Sequence, residues 1–448
     1  MAKFLFTVWP FAGCVHPLVA VAHKLRERGH ECGFYTGALY QSLIEGEGFQ
    51  HFPFQQVNER ALDELVFSPE GIGKNWSWTR PLQLQQQLRA FFLEGVPQQF
   101  ADIQRILATW GGDVVVSDPA MWGSFVLLSE LERVPVALCS YAGGCMLPGP
   151  DVPPIGLGLP LSRSWFGGVR DRLVGFALDG LMSGMRRDVS LLRQQYGLSP
   201  LKGPVINLAR RLPLYLLPSC PEYDYNRRDL PSCVRYVGPL QWYPPQAAPA
   251  WLDSLLSGQP VIHVTEGTLH YQEPFVLKAA ARGLANLPMS VVLTSGGDRD
   301  PTQLGLDPLA PNVRVERFVP HNHLLPRTDV MVTTAGGGTV MAGLQFGVPM
   351  VLVPTEWDKA ENTQRVVEAG AGIRLSPRKC TPQRLRKAVE QVLEDPSYRE
   401  NVRRLAKILA GYGGPALAAS LLEQIIPGRE SQKRTGTNYL VNIALGST

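Results

Sequence analysis

The run DVMVTTAGGGT, from Asp329 to Thr339, limits what this chain can fold into more than any other stretch. Its first half is a short apolar segment of the kind that forms a buried strand. Its second half is three consecutive glycines, and a helical pattern begins near Thr339. A strand, a tight turn and a helix in that order aim free backbone N–H groups and the positive helix end at one spot. Such a spot suits a diphosphate, and glycine lets the anion approach the backbone closely. An ordinary tight turn would account for three glycines standing alone. A second turn, Thr265-Glu266-Gly267-Thr268, follows another apolar run in the same half. Two anion-ready turns in one domain favour the binding reading.

The strand–helix alternation runs through the whole chain. Residues 3–8 read as a buried strand, 16–28 as an amphipathic helix closed by Gly29, and 31–36 as a second strand. Residues 55–110 read as mostly helical. Strands follow at 113–117 and 135–139 with a helix over 123–132 between them, then a Gly- and Pro-rich loop over 143–168. Prolines crowd the stretch 238–249. Beyond it come strands at 261–264, 290–294, 313–318, 330–333 and 350–353, and a helix over 273–286. This predicts an α/β chain of two Rossmann-like, doubly wound parallel-sheet domains facing a central cleft, and 448 residues are too many for one ordinary core. The expected divisions are an N-terminal domain over 1–238, a Pro-rich linker over 239–250 and a C-terminal domain over 251–410. A helix over 411–426 is expected to pack back on the N-terminal domain, and the polar tail 427–448 to be mobile.

Composition narrows the functions. Lys and Arg number 43 against 39 Asp and Glu, so the net charge is only +4. Neither nucleic acid nor an anionic membrane is called for as a partner. The seven cysteines are scattered with no CxxC pair, which fits reduced thiols in a cytoplasmic protein. The N-terminal run ending at Cys14 has a faint likeness to a lipoprotein signal, but it is short and leads straight into a helix pattern. No segment has the length of a membrane-spanning helix. No His, Cys or carboxylate spacing matches a zinc site, so no metal is expected. Of the histidines, His23 and His30 read as surface residues and His263 as structural.

Val319-Pro320-His321, the threonine-rich glycine turn, Gly347-Val348-Pro349, Pro354 and Asp358-Lys359-Ala360-Glu361-Asn362 follow one another in order. The set resembles the nucleotide-sugar-binding signature of the UDP-glycosyltransferase superfamily, the family-one enzymes of the GT-B fold. The likeness extends over nearly the whole chain apart from the tail. It is nearest to bacterial enzymes that decorate antibiotics and other natural products, such as macrolide glycosyltransferases.

The resemblance implies a donor site, taken one position at a time. Phe318 falls where an aromatic ring often stacks on the nucleobase, and Val319 would offer backbone contacts to the base. His321 falls where Gln is common. Gly267 and Thr268 would meet a phosphate, as would Ala335, Gly336, Gly337, Gly338 and Thr339. Asp358 would hydrogen-bond sugar hydroxyls, with Lys359 where many relatives carry Gln. Thr334 stands where many relatives place a phosphate-binding His, and Ala342 where many have an acidic ribose contact. These departures leave uridine or thymidine diphosphate, and glucose or a deoxysugar, open. The diphosphate is to be met by the helix end and hydroxyls, without a cofactor or metal.

An inverting transfer needs a base for the acceptor hydroxyl, and histidine backed by a buried Asp suits neutral pH. The family places that His in the pattern Gly-His-x-x-Pro at the start of the first helix. Here the stretch reads Gly13-Cys14-Val15-His16-Pro17. Asp118, after the DVVVS strand, matches the family's Asp partner. Three readings stay open: His16 acts through a local shift of the helix start, Cys14 acts as a thiolate with a pKa lowered by the helix N-terminus, or no strong base exists and the acceptor is acidic. His16 heads them because it is adjacent and chemically suited.

The expected activity is transfer of a hexose or deoxyhexose from a UDP- or TDP-sugar to a hydroxyl, or less readily a nitrogen, of an apolar small molecule. The acceptor pocket is expected to include Trp9, Phe11, Trp76, Trp78, Phe91, Trp122 and Tyr141. A monomer or homodimer fits equally. A catalytically silent homologue that binds a nucleotide sugar and activates a partner protein is the second hypothesis, motivated by the missing His at position 14.

Overall fold

In the computed structural model, residues 1–428 are described except for 69, 76–79, 151, 257, 270–272 and 298. Trp76, Trp78 and the tail from residue 429 onward lie outside the described residues.

Two all-parallel sheets form the frame. The first joins β1 (Lys3–Thr7), β2 (Glu31–Thr36), β3 (Gln50–Pro53), β4 (Val114–Ser117), β5 (Val136–Cys139), β6 (Leu214–Leu217) and β7 (Val234–Tyr236). Their spatial order is β3-β2-β1-β4-β5-β6-β7. The second joins β8 (Val261–Thr265), β9 (Ser290–Thr294), β10 (Val313–Glu316), β11 (Val330–Thr333), β12 (Met350–Leu352) and β13 (Gly372–Arg374). It runs β10-β9-β8-β11-β12-β13. The central strands are buried along their whole length, as VVVS of β4 and VMVT of β11 show. Helices cover both faces of such strands, so their sequences are continuous apolar runs without alternation. Strand order reverses between β1 and β4 and again between β8 and β11. Ligands of open parallel sheets settle outside the carboxyl ends of strands at such reversals.

Several boundaries differ from the sequence expectations. The first helix spans Ala12–Glu27 and so starts four residues early, with Pro17 inside it. The stretch after β4 opens as a π-helical turn, Gly123–Leu128, before the short helix Ser129–Leu131. There the Gly123 N–H donates to Gln99 Oε1 at 2.8 Å, and a Cβ at 123 would come within 2.5 Å of the Gln99 Cβ. The expected helix over 273–286 is confined to Phe275–Gly283.

The last described helix, Gly414–Gln424, lies on the first helix. Ala418, Ala419, Leu421 and Leu422 join Val15, Leu18 and Val19 in one buried cluster. Arg28 reaches Ser420 Oγ at 2.8 Å and Glu423 at 3.0 Å. His30 is not the surface residue its position implied: it is 5% exposed, with Glu423 Oε1 2.8 Å from its Nε2. The two sheets are also tied through the helix Lys359–Glu368. Its Arg365 pairs with Asp224 at 3.0 Å, and its Glu361 accepts from the N–H groups of Gly156 and Gly158. No single described helix is long and apolar enough to cross a membrane.

Candidate active site

The loops after β1, β4, β8 and β11 border one cleft of about 260 Å³. On the β8–β11 side, Ala335 takes a left-handed φ of 72°. Gly336 then caps the helix Gly337–Gln345, which begins two residues before Thr339. No side chain caps this helix, so its first-turn N–H groups are open to a ligand. The three glycines do different things. A Cβ at Gly336 or Gly338 would meet nothing within 4 Å, whereas one at Gly337 would stand 2.7 Å from the Tyr141 carbonyl oxygen. Gly336 and Gly338 therefore leave room for an anion, and Gly337 lets the other domain press on the turn. In the second turn Gly267 has a φ of 81°, its N–H donates to Thr265 Oγ1 at 3.2 Å, and Thr268 is exposed at the cleft.

Two donor-side expectations need correction. The Thr334 hydroxyl donates to the Glu266 carbonyl at 2.8 Å; it braces one turn against the other and is not free for a phosphate. Lys359 is buried and its ammonium is held by Glu356 and by Thr355 Oγ1, the latter at 2.9 Å, so its charge is spent inside the protein. The Val319 side chain is buried in a core cluster with Leu252 and Leu324, which leaves its backbone as the part that could meet a base. Phe318, by contrast, is 43% exposed and lines the cleft, as His321 does. His321 packs edge-on against His263, and burial lowers its pKa to about 4. Asp358 also lines the cleft. Its Oδ2 accepts from Asn362 Nδ2 at 2.8 Å, and burial raises its pKa.

On the opposite wall, the early helix start decides the fate of the expected base. Residues 14 and 16 lie about 200° apart around a helix. Cys14 turns into the domain and is 8% exposed. Burial pushes its thiol well above the usual range, and the nearby carboxylates of Asp118 and Asp358 push it further. The thiolate expected from the helix N-terminus is thus not favoured: desolvation outweighs the dipole. His16 packs against Trp242 at a centroid distance of 4.9 Å, and burial lowers its pKa to about 4. No hydrogen bond to its ring is found among the described residues, and the His16–Asp118 dyad is not formed. Asp118 is 1% exposed. Its Oδ2 accepts from Trp9 N at 2.7 Å, and its Oδ1 from Ala120 N at 2.6 Å and Met121 N at 3.2 Å. Desolvation nevertheless raises its pKa to about 6, against the pull of those three amides.

Aromatic rings close the remaining side. Trp9, Phe11, Phe91 and Tyr141, expected in the acceptor pocket, line the cleft. Phe11 stacks on Phe91 at 6.4 Å and 11°, and Trp9 packs on Phe91 at 5.2 Å. Trp122 does not line it; it stacks behind Phe92 at 5.0 Å. The sequence reading missed Phe92, Trp242 and Trp357. Trp357 has a φ of 57° and brings its ring to 5.1 Å from Phe91, joining the two domains across the cleft. Among the described residues no group of three or more His, Cys, Asp or Glu is placed to hold a metal ion.

Two parallel α/β domains with ligand-ready turns facing an aromatic wall make the architecture of the GT-B glycosyltransferases. Residues 282–425 match the family model described as erythromycin biosynthesis protein CIII-like, C-terminal domain. The chain is 35% identical over 430 residues to 4'-demethylrebeccamycin synthase of Lentzea aerocolonigenes, covering 95% of this chain and 100% of that protein. Demethyllactenocin mycarosyltransferase of Streptomyces fradiae is 25% identical over 443 residues, 95% of this chain and 87% of that one. Among solved structures, the calicheamicin glycosyltransferase CalG4 superposes with a TM-score of 0.71 at 24% identity, over 96% of this chain and 99% of that one. The glycosyltransferase VinC in complex with dTDP gives 0.68 at 19%, over 95% and 99%. The chain belongs to the bacterial natural-product glycosyltransferases of the UDP-glycosyltransferase superfamily, and it is an enzyme of that class.

Proposed function

We propose that this glycosyltransferase inverts: it moves a hexose or deoxyhexose from a UDP- or TDP-sugar to a hydroxyl, or secondarily a nitrogen, of an apolar small molecule. The observation that carries the reading is the opposition of the two walls. The uncapped helix end at Gly336–Thr339 and the Gly267–Thr268 turn face the rings of Trp9, Phe11 and Phe91 across one cleft. A diphosphate on the first wall and a ring system on the second would place the attacking atom opposite the leaving group, as a single in-line displacement requires. Phe318 is exposed where a base would stack, and Asp358 lines the cleft where sugar hydroxyls would reach, held by Asn362 behind it. The donor's charge would be met by helix end and amides, with no metal or cofactor.

Cytoplasmic action on a nucleotide sugar and one small acceptor follows from this reading. Calorimetry with UDP and TDP, followed by detection of nucleoside diphosphate release in the presence of chelator, tests it. Binding of at least one nucleotide and chelator-insensitive turnover are expected. Nucleotide binding with no turnover on any acceptor would contradict the transfer reading.

A further inference from the structure

We propose that the helix Trp165–Gln195 is the surface through which two copies of this chain pair, its N-terminal two-thirds lying antiparallel to that of the second copy about a twofold axis near Gly175.

The helix has 31 residues, and its buried ones are Met185, Val189 and Arg193. Nothing is buried over residues 165–184, about 30 Å of helix at a rise of 1.5 Å per residue. The C-terminal part is fixed to the helix Pro81–Phe92: Asp188 pairs with Arg89 at 2.9 Å, and Gly184 passes close to the Gln85 side chain. The exposed part has little to hold it helical by itself. Glycine stands at 167, 168, 175, 180 and 184, and each weakens a helix because glycine has the most backbone freedom to lose. Such a helix draws its stability from packing an apolar face.

That face is present and uncovered in the single chain. Trp165, Phe166, Leu173 and Phe176 are between 65% and 83% exposed. With Val169 and Gly180 they recur at the three- and four-residue steps of one side of a helix. Exposed apolar residues scattered singly are ordinary, but a row of them marks a contact.

The charges identify what covers it. Residues 165–184 carry Arg170, Asp171, Arg172 and Asp179, so the stretch has no net charge. A lipid surface would call for an excess of Lys and Arg. Arg172 and Asp179 are both exposed and lie seven residues apart, close to two turns, on one edge of the apolar row. Arg172 has no partner among the described residues. Asp179 Oδ1 accepts from Arg186 at 2.6 Å, which leaves its Oδ2 open. A twofold axis across an antiparallel helix pair brings like edges together. Arg172 of each copy then meets Asp179 of the other, twice. The same axis lays Leu173 and Phe176 of each copy on those of the other and sets Val169 against Gly180. A Cβ at Gly180 would meet nothing within 4 Å, so the second helix can approach the backbone there. Opposite charges at this spacing complement themselves, which a face shaped for lipid or for an unrelated protein has no need to do. The ion pairs fix the register and the rings supply the affinity.

Sedimentation velocity of the purified full chain over a dilution series tests the proposal. A species of twice 49.3 kDa is expected at the higher concentrations. Phe176→Glu should raise the dimer dissociation constant about 30-fold or more, as loss of an interface anchor does. Its monomer should melt as the native monomer does, because the ring is free in the single chain. Arg172→Asp and Asp179→Arg should each weaken pairing on the order of 10-fold, since each sets like charges across the axis. Mixed in equal amounts, these two variants should pair with each other about as tightly as the native chain, because the mixed dimer restores both opposite-charge contacts. A monomer throughout the series, a dimer indifferent to Phe176→Glu, or a mixture that pairs no better than its components overturns the proposal. A monomer that co-sediments with vesicles of phosphatidylcholine and phosphatidylglycerol, and no longer does so after Phe176→Glu, overturns it in favour of a lipid surface.

Discussion

At the residue scale, Trp9 lines the cleft through its ring while its Nε1 is buried without a hydrogen-bond partner among the described residues. Trp9→Phe keeps an aromatic ring in the Phe54–Phe91 cluster and removes the orphaned donor. Chemical unfolding should show the variant no more than about 1 kcal/mol less stable, while acceptor KM rises several-fold as the cleft-lining ring shrinks; unchanged KM would mean that the ring does not touch the acceptor. His16 gives a second prediction. Its folded pKa of about 4 lies below its ordinary value of 6.5, so the folded state keeps it neutral while the unfolded chain binds a proton. The stability it allows is fully present above pH 6.5 and is lost as pH falls toward 4. His16→Gln should flatten that acid limb by on the order of 1 kcal/mol, since the ring is partly solvated. The same variant should leave the rate profile above pH 6 unchanged in shape. A lost limb near pH 6–7 in the rate would restore His16 as the base.

At the element scale, the glycine turn separates two roles that one sequence motif cannot distinguish. Gly337→Ala forces a Cβ onto the Tyr141 carbonyl, so melting temperature and donor affinity should both fall, the latter about 10-fold or more. Gly338→Ala meets open space; stability should hold within about 0.5 kcal/mol while nucleotide affinity drops, because the methyl enters the ligand's volume. Equal effects of the two on calorimetric affinity and melting would contradict the division. The turn itself was legible in the sequence because a buried strand and a helix pattern flank it. Strands β3, β7 and β13 were not, being sheet edges with few buried residues, and neither was β6. The first helix was read from His16 because the apolar periodicity begins just after it, and Pro17 falls inside the helix. The chain tolerates it inside the helix, and that shift of four residues puts Cys14 on the buried face of the helix while His16 stays half-buried at the cleft against Trp242. Trp242 was hidden in a Pro-rich stretch and Trp357 in a left-handed loop position, where no periodicity reports burial.

At the scale of the whole molecule, the helix that starts after Asp358 is anchored in the other domain. Arg365 is buried between Asp224 and Glu361, and Asp224 also accepts from Tyr236 and Cys145. Arg365→Met would leave these carboxylates buried and unpaired, a loss of about 3–5 kcal/mol for a broken buried pair. Thermal unfolding should register it, and donor KM should rise because Asp358 and Asn362 move with their helix. Which residues meet across the cleft could not be read from either half alone; Trp357 against Phe91 depends on how two sheets dock, not on local pattern.

Displacement in one step across that cleft would invert the anomeric centre. The most direct measurement is the anomeric configuration, by proton NMR, of the glycoside formed from UDP-α-glucose or TDP-α-glucose and 2-naphthol. The account predicts the β-glycoside; an α-glycoside would contradict it.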